Sequence, residues 1–299
     1  MSEQILETWH EGEIALQQSV GVADRMQEIG PRVIRDFMPD QHRIFFMSLA
    51  FVIIGTIDNA GNPWAGILVG DETLLATPDE YTLQANFERN EQDPSQRGIR
   101  SDQPIAVLGI EPATRRRNRA NGNILRSDDR GMTIHVRQSF GNCPQYITRR
   151  ALTVDPHFDV GDVVITNQLD DAMRAFIKNA DAFFVASYAI REGDICQVDV
   201  SHRGGPKGFV ATSKTSEIHI PDYPGNNYFN TLGNILLTGR AGLMFVDFAS
   251  GTVLQVSGQA KVFGVNRSEH PDFPYDRYWT VEPTEIVWRP GAIALIETA

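Results

Sequence analysis

Between Asp199 and Gly258 the chain collects side chains suited to holding a flat, phosphorylated ligand. Ser201, His202, Arg203 and Lys207 crowd one short stretch, with Gly204, Gly205 and Gly208 interleaved. Arg203 offers a planar fork that fits phosphate, and Lys207 offers a point charge. Either also serves as an ordinary surface cation. The glycines remove side chains where backbone must approach a ring, or they mark a β-bulge with no ligand. His202 is the one candidate acid–base group, since imidazole titrates near neutrality; a structural histidine is the plainer reading. Downstream, Asn226, Asn227, Asn230 and Asn234 surround an expected helix start. Free N–H groups there bind phosphate, and asparagine amides suit a polyol. The same Pro224-Gly225-Asn226 segment also makes a simple turn and cap. Gln255 lies on a later strand, where its amide either meets a ring edge or faces outward.

These residues need strands and one helix to position them. The order over Asp199–Gly258 reads strand, glycine-broken strand, strand, asparagine-rich turn, helix, then two more strands. Two cysteines, Cys143 and Cys196, propose neither a disulfide framework nor a zinc cluster. Cys143 reads as a redox thiol at a helix start or as a small packed residue. The net charge of −11 argues against a nucleic-acid surface. A basic run, Arg115–Arg119, is the local exception and fits either an anion site or an interface between halves. No apolar run reaches the roughly 20 residues of a membrane span. The acidic N-terminus lacks a secretory pattern, so a cytoplasmic location is the expectation.

The 299 residues repeat themselves. The segment at 49–58 resembles 181–189, and 62–70 resembles 205–213. PIAVLGIE from Pro104 pairs with RAGLMFVD from Arg240, and Asn121-Gly122 with Ser257-Gly258; both lie 136 positions apart. The periodicity predicts a leading helix over 13–30, stopped at Gly30-Pro31. It also predicts a helix near 39–47 with a counterpart at 170–179, and a short helix capped by Asn142 and starting near Pro144. Many short strands imply a mainly β chain with flanking helices, an α+β class built on barrels. Residues 1–38 form a helical segment, 39–150 a first, glycine-poor copy, and 151–299 the main ligand-binding copy.

The segments SHRGGPKGFV, PDYPGNNYFNTLGN, GRAGLMF and LQVSG, in that order, resemble the pyridoxamine 5′-phosphate oxidase-related family of FMN-binding split β-barrels. The resemblance implies two split β-barrels packed as a pseudo-dimer, with FMN in the groove between them. It implies that Gln145 and Arg150, in NCPQYITRR, reach the flavin from the first copy, and that Trp288 packs beside it. It further implies an oxidoreductase passing hydride from a small-molecule substrate or nicotinamide to flavin N5, with a possible electron-transfer reductase partner and a possible homodimer. The chain departs from the pyridoxamine phosphate oxidases after Trp288, where RPGAIALIETA carries no Arg-x-His pair. That departure puts pyridoxamine phosphate oxidation in doubt. A non-catalytic module for flavin, haem or another flat ligand stands as the alternative.

Overall fold

The computed structural model describes residues 8–155, 159–264 and 277–297. The first seven residues, part of the N-terminus read above, lie outside that set. Three helices open the chain: α1 (Glu11–Ser19), α2 (Ala23–Val33) and α3 (Asp40–Met47). The first sheet follows with β1 (Phe51–Ile57), β2 (Pro63–Val69), β3 (Leu75–Ala76) and β4 (Thr82–Asn86). A short 3-10 helix, Pro94–Gly98, precedes β5 (Pro104–Glu111), β6 (Arg116–Asp128) and β7 (Gly131–Gly141). Two short strands, β8 (Leu152–Val154) and β9 (Val164–Thr166), lead to α4 (Asp171–Asn179). The second sheet begins with β10 (Ala182–Arg191), β11 (Ile195–Gly204), β12 (Ala211–Thr212) and β13 (Ile218–Pro221). After α5 (Asn230–Thr238) come β14 (Arg240–Asp247), β15 (Thr252–Phe263), β16 (Tyr278–Arg289) and β17 (Leu295–Glu297).

The two sheets have the same strand order. The first runs β2-β1-β5-β6-β7-β4-β3 and the second β11-β10-β14-β15-β16-β13-β12, all neighbours antiparallel. Counted from its own first strand, each reads 2-1-5-6-7-4-3. Equivalent elements also start at a constant spacing: Pro94 and Asn230, Pro104 and Arg240, and Arg116 and Thr252 are each 136 positions apart. The molecule is thus mainly β, with large antiparallel sheets and few helices.

Side-chain alternation explains the unbroken apolar runs. Along β1, Val52 and Ile54 enter the core of the first sheet, while Phe51 and Ile53 enter a seam shared with the second. Along β10, Phe183 and Val185 face the second core, while Phe184 and Ala186 face that same seam. Successive residues point to opposite faces, so a strand buried on both must be apolar throughout. Each large aliphatic or aromatic side chain so buried contributes about 1.5–3 kcal/mol over exposure. The seam therefore binds the sheets face to face through their first, second and fifth strands.

Three local expectations need correction. The leading helix is two helices, broken where Gly21 takes a positive φ, and Pro31 sits inside the last turn of α2. Residues 205–213 are mostly turn, and the counterpart of β2 is β11, whose inner face carries the apolar residues the seam requires. No helix forms after Asn142; the stretch 142–150 crosses from the first sheet to the second as irregular chain. Helices α3 and α4 stand where 39–47 and 170–179 predict them. Among the described residues no helix is long and apolar enough to cross a membrane.

Candidate functional site

A cleft open to solvent lies where β6, β11, the 142–146 crossing and the start of α5 converge. The alternation of β6 puts Arg117 and Arg119 on the side that faces β11. Arg119 is buried and ties the sheets together. Its Nε donates to the Val200 carbonyl at 3.0 Å, and its other nitrogens reach Ser201 Oγ and Asn230 Oδ1. It also pairs with buried Asp199 at 3.3 Å. Among the described residues Arg117 has only neutral partners: the Cys143 carbonyl at 2.9 Å, the His202 carbonyl at 3.4 Å and His202 Nδ1 at 3.5 Å. On the opposite wall Arg203 and Arg277 share one carboxylate, Asp222, at 3.2 and 2.7 Å.

Among the described residues four guanidinium groups therefore face two carboxylates. Burial, then Arg119 and Arg203, lowers Arg117 to about 10, which leaves it charged at neutral pH. Burial and the cations Arg117, Arg203 and Arg150 push His202 well below the ordinary histidine range, so its ring is neutral. That ring stands edge-on to Phe184. The buried Nε of Arg203 has no hydrogen-bond partner among the described residues. Beside these cations α5 begins without a side-chain cap, its N-cap Phe229 in the left-handed region. Asn230 and Thr231, in its first turn, line the cavity. Uncapped first-turn N–H groups and the positive end of the helix dipole both favour an anion. Local geometry and net charge agree on what belongs here.

The structure gathers Ser201, His202, Arg203, Gly204, Asn226, Asn227, Asn230 and Gln145 around this cavity. Some have work of their own. Ser201 bonds Asp199, Thr231 and Arg119, and Asn226 accepts from Tyr228 N within its own turn. Gly204 is glycine because the crossing chain lies against it: a Cβ there would sit 2.0 Å from the Tyr146 carbonyl oxygen. Its role as a ring platform is accordingly replaced by one of admitting Tyr146, which stacks on Tyr223. Gly208 belongs to a turn after β11, at φ +84.

Four expected contacts lie elsewhere. Lys207 is exposed in that turn, where no wall turns it inward. Gln255 is fully buried in the seam, its amide donating to the Ala65 carbonyl and Asp93. Arg150 is held by Asp181 at 2.6 Å and Glu297 at 3.2 Å, at a smaller apolar cavity on the far side of His202. Trp288 packs edge-on to Phe176 at the margin of the second core. Conversely, Arg117 and Arg119, which the sequence offers only within the Arg115–Arg119 run, line the cavity together with Arg277 and Tyr223, which it does not single out. The period-two spacing of Arg117 and Arg119 is the signal that finds the first two. Arg115 and Arg116 point to solvent, Arg116 lying over Phe45.

Behind α5 a second polar cluster holds the helix in place. Asn230 donates to Glu13 of α1, and His10 bonds Asn234 at 2.8 Å. Burial raises Glu13 to about 8 and lowers His10 to about 4. A carboxyl raised on folding binds more protons folded than unfolded, so its contribution is full below its unfolded value near 4.5 and is lost as pH rises towards 8. A histidine lowered on folding acts oppositely, adding stability as pH climbs from about 4 to 6.5. The two offset each other below pH 6.5, and Glu13 acts alone above it. Chemical denaturation should therefore show stability falling between pH 6.5 and 8 by about 1–2 kcal/mol. Glu13→Gln should flatten that slope; an unchanged slope contradicts the assignment.

Neither a family model nor a curated protein matches the sequence. Solved structures resemble parts of it. HupZ from Group A Streptococcus is 15% identical, with 35% of this chain and 94% of that one covered and a TM-score of 0.29. A FAD-binding protein from Mesorhizobium loti is 11% identical, with 43% and 97% covered and a TM-score of 0.27. The FAD-binding protein from Mycobacterium smegmatis is 10% identical, with 40% and 97% covered and a TM-score of 0.25. Each is matched along nearly its whole length while spanning less than half of this chain.

Proposed function

We propose that the cavity holds FMN, with its phosphate toward Arg117 and the first turn of α5, and that the protein is a flavin-dependent oxidoreductase acting on a small substrate. One observation carries the reading. Arg117 is a partly buried guanidinium with no carboxylate partner among the described residues, set beside an uncapped helix start in a cavity lined from both sheets. A dianionic phosphate is the group that such a site lacks. The unpartnered Nε of Arg203 supports the same occupant. The sequence resemblance supplies the choice of a flavin over other phosphate esters.

In this reading the residues divide the work by chemistry. Arg117, Arg203 and the N–H groups of α5 bind the phosphate, and the amides of Asn227 and Asn230 hold a polyol. Stacked Tyr146, Tyr223 and Phe209 exclude water from one wall. His202, neutral and with Nδ1 3.5 Å from an Arg117 nitrogen, helps to orient that guanidinium. FMN, when bound, supplies the two-electron redox chemistry that no side chain offers. A nicotinamide or a separate reductase is the electron source in this scheme. The shared strand order supports one chain standing for two split-barrel subunits.

Absorbance of freshly purified protein tests this reading. A flavin spectrum that bleaches with NAD(P)H and recovers repeatedly in oxygen is the expected result. A flavin spectrum without turnover would reassign the protein as a non-catalytic holder, and protein that takes up no FMN would end the flavin reading.

A further inference from the structure

The matching strand order sets up a second position in the seam. In the candidate site Arg119 of β6 donates to the Val200 carbonyl of β11, across from the first sheet to the second. Gln255, 136 positions after Arg119, donates at 2.9 Å to the Ala65 carbonyl of β2, from the second sheet back to the first. The contacts are reciprocal. The twin of Phe229, which leads into α5, is Asp93, which leads into the 3-10 helix 136 positions earlier. Exchange of the two halves therefore carries the candidate site onto a place bounded by Asp93, Gln255, Gly66 and Arg289.

That twin is filled by the protein itself. Asp93, Gln255 and Arg289 are each almost fully buried. Arg289 pairs with Asp93 at 3.1 Å and bonds Gln255 Oε1 at 3.1 Å, and Gln255 Nε2 donates to Asp93 at 2.8 Å. Ser95 closes the remaining space. Its Oγ lies 1.9 Å from where a Cβ on Gly66 would be, so the seam meets there without a gap. Arg117 of the candidate site, whose place 136 positions on is taken by Val253, has no carboxylate partner among the described residues. In the twin the cation, Arg289, has one.

We infer that Asp93 is a built-in anion occupying the twin of the ligand's phosphate position, so that the chain binds one FMN and not two. The count of one rests on the FMN reading above; the filled twin does not. Two measurements test it separately. Titration of the wild-type protein with FMN should saturate at one equivalent per chain, and two equivalents would overturn the inference. Asp93→Ala should lower the melting temperature by roughly 10 °C, because it strands a buried guanidinium. Formate, a small carboxylate, should restore at least half of that loss while leaving the wild type unmoved. A variant as stable as the wild type, or one that formate does not help, would overturn it. Should Asp93→Ala fail to fold, the double variant Asp93→Ala/Arg289→Met removes the stranded cation and should fold without formate. Failure of that double variant as well would count against the inference. If the wild type takes up no FMN, the count falls with the flavin reading, and the formate response still decides whether Asp93 fills the twin.

Discussion

Replacing Arg117 with methionine is expected to weaken FMN binding about 100-fold while changing riboflavin binding by less than about threefold. Methionine keeps much of the buried stem and deletes only the charge and its donors. Losing a charge-assisted contact to phosphate costs about 1.5–3 kcal/mol, and low local dielectric places this site at the upper end. Riboflavin has the same ring and polyol without the phosphate, so the pair of ligands isolates the group that Arg117 meets. Fluorescence quenching of each flavin measures both constants. An equal loss for the two ligands would move Arg117 from the phosphate to the ring, and no loss would remove it from the site.

Arg119→Met should act first on stability. The side chain links β6 to β11 and neutralises Asp199, which is 5% exposed. Deleting one partner of a buried ion pair leaves an uncompensated charge and costs about 3–5 kcal/mol. For a chain of this size that lowers the melting temperature by roughly 10 °C. Asp199→Asn on that background should recover part of the loss, because it removes the stranded charge. FMN affinity should fall too, since Arg119 holds Ser201 and Asn230 in place. Thermal melts of the single and double variants form a cycle, and strict additivity would mean that the pair is not coupled.

The contrast between these arginines shows where sequence reading succeeds. Strand and helix positions such as β5, β14 and α4 were legible because apolar alternation and caps are local. The spacing of 136 positions matches the starts of β5 and β14 and of β6 and β15, which hold the same places in the two strand orders. The cluster around 201–204 and 226–230 was legible because several ligand-like residue types fall close together. What failed was long-range. Gln255 looks like an available amide until Asp93 and Ala65, distant in sequence, take its donors. Arg150 is spent on Asp181 and Glu297, and Gly204 on Tyr146. Arg117 and Arg119 stood in a basic run whose alternation marks a face, but only the opposing sheet decides what that face meets. Arg277 reaches the cavity through Asp222, a pairing across 55 positions that no local pattern announces.

A crystal structure of the protein grown with FMN is the most direct test. One flavin per chain is the expected result, its phosphate touching the Arg117 guanidinium and the backbone nitrogens that open α5. Phosphate density anywhere else, or a flavin seated outside the space between the two sheets, would contradict it.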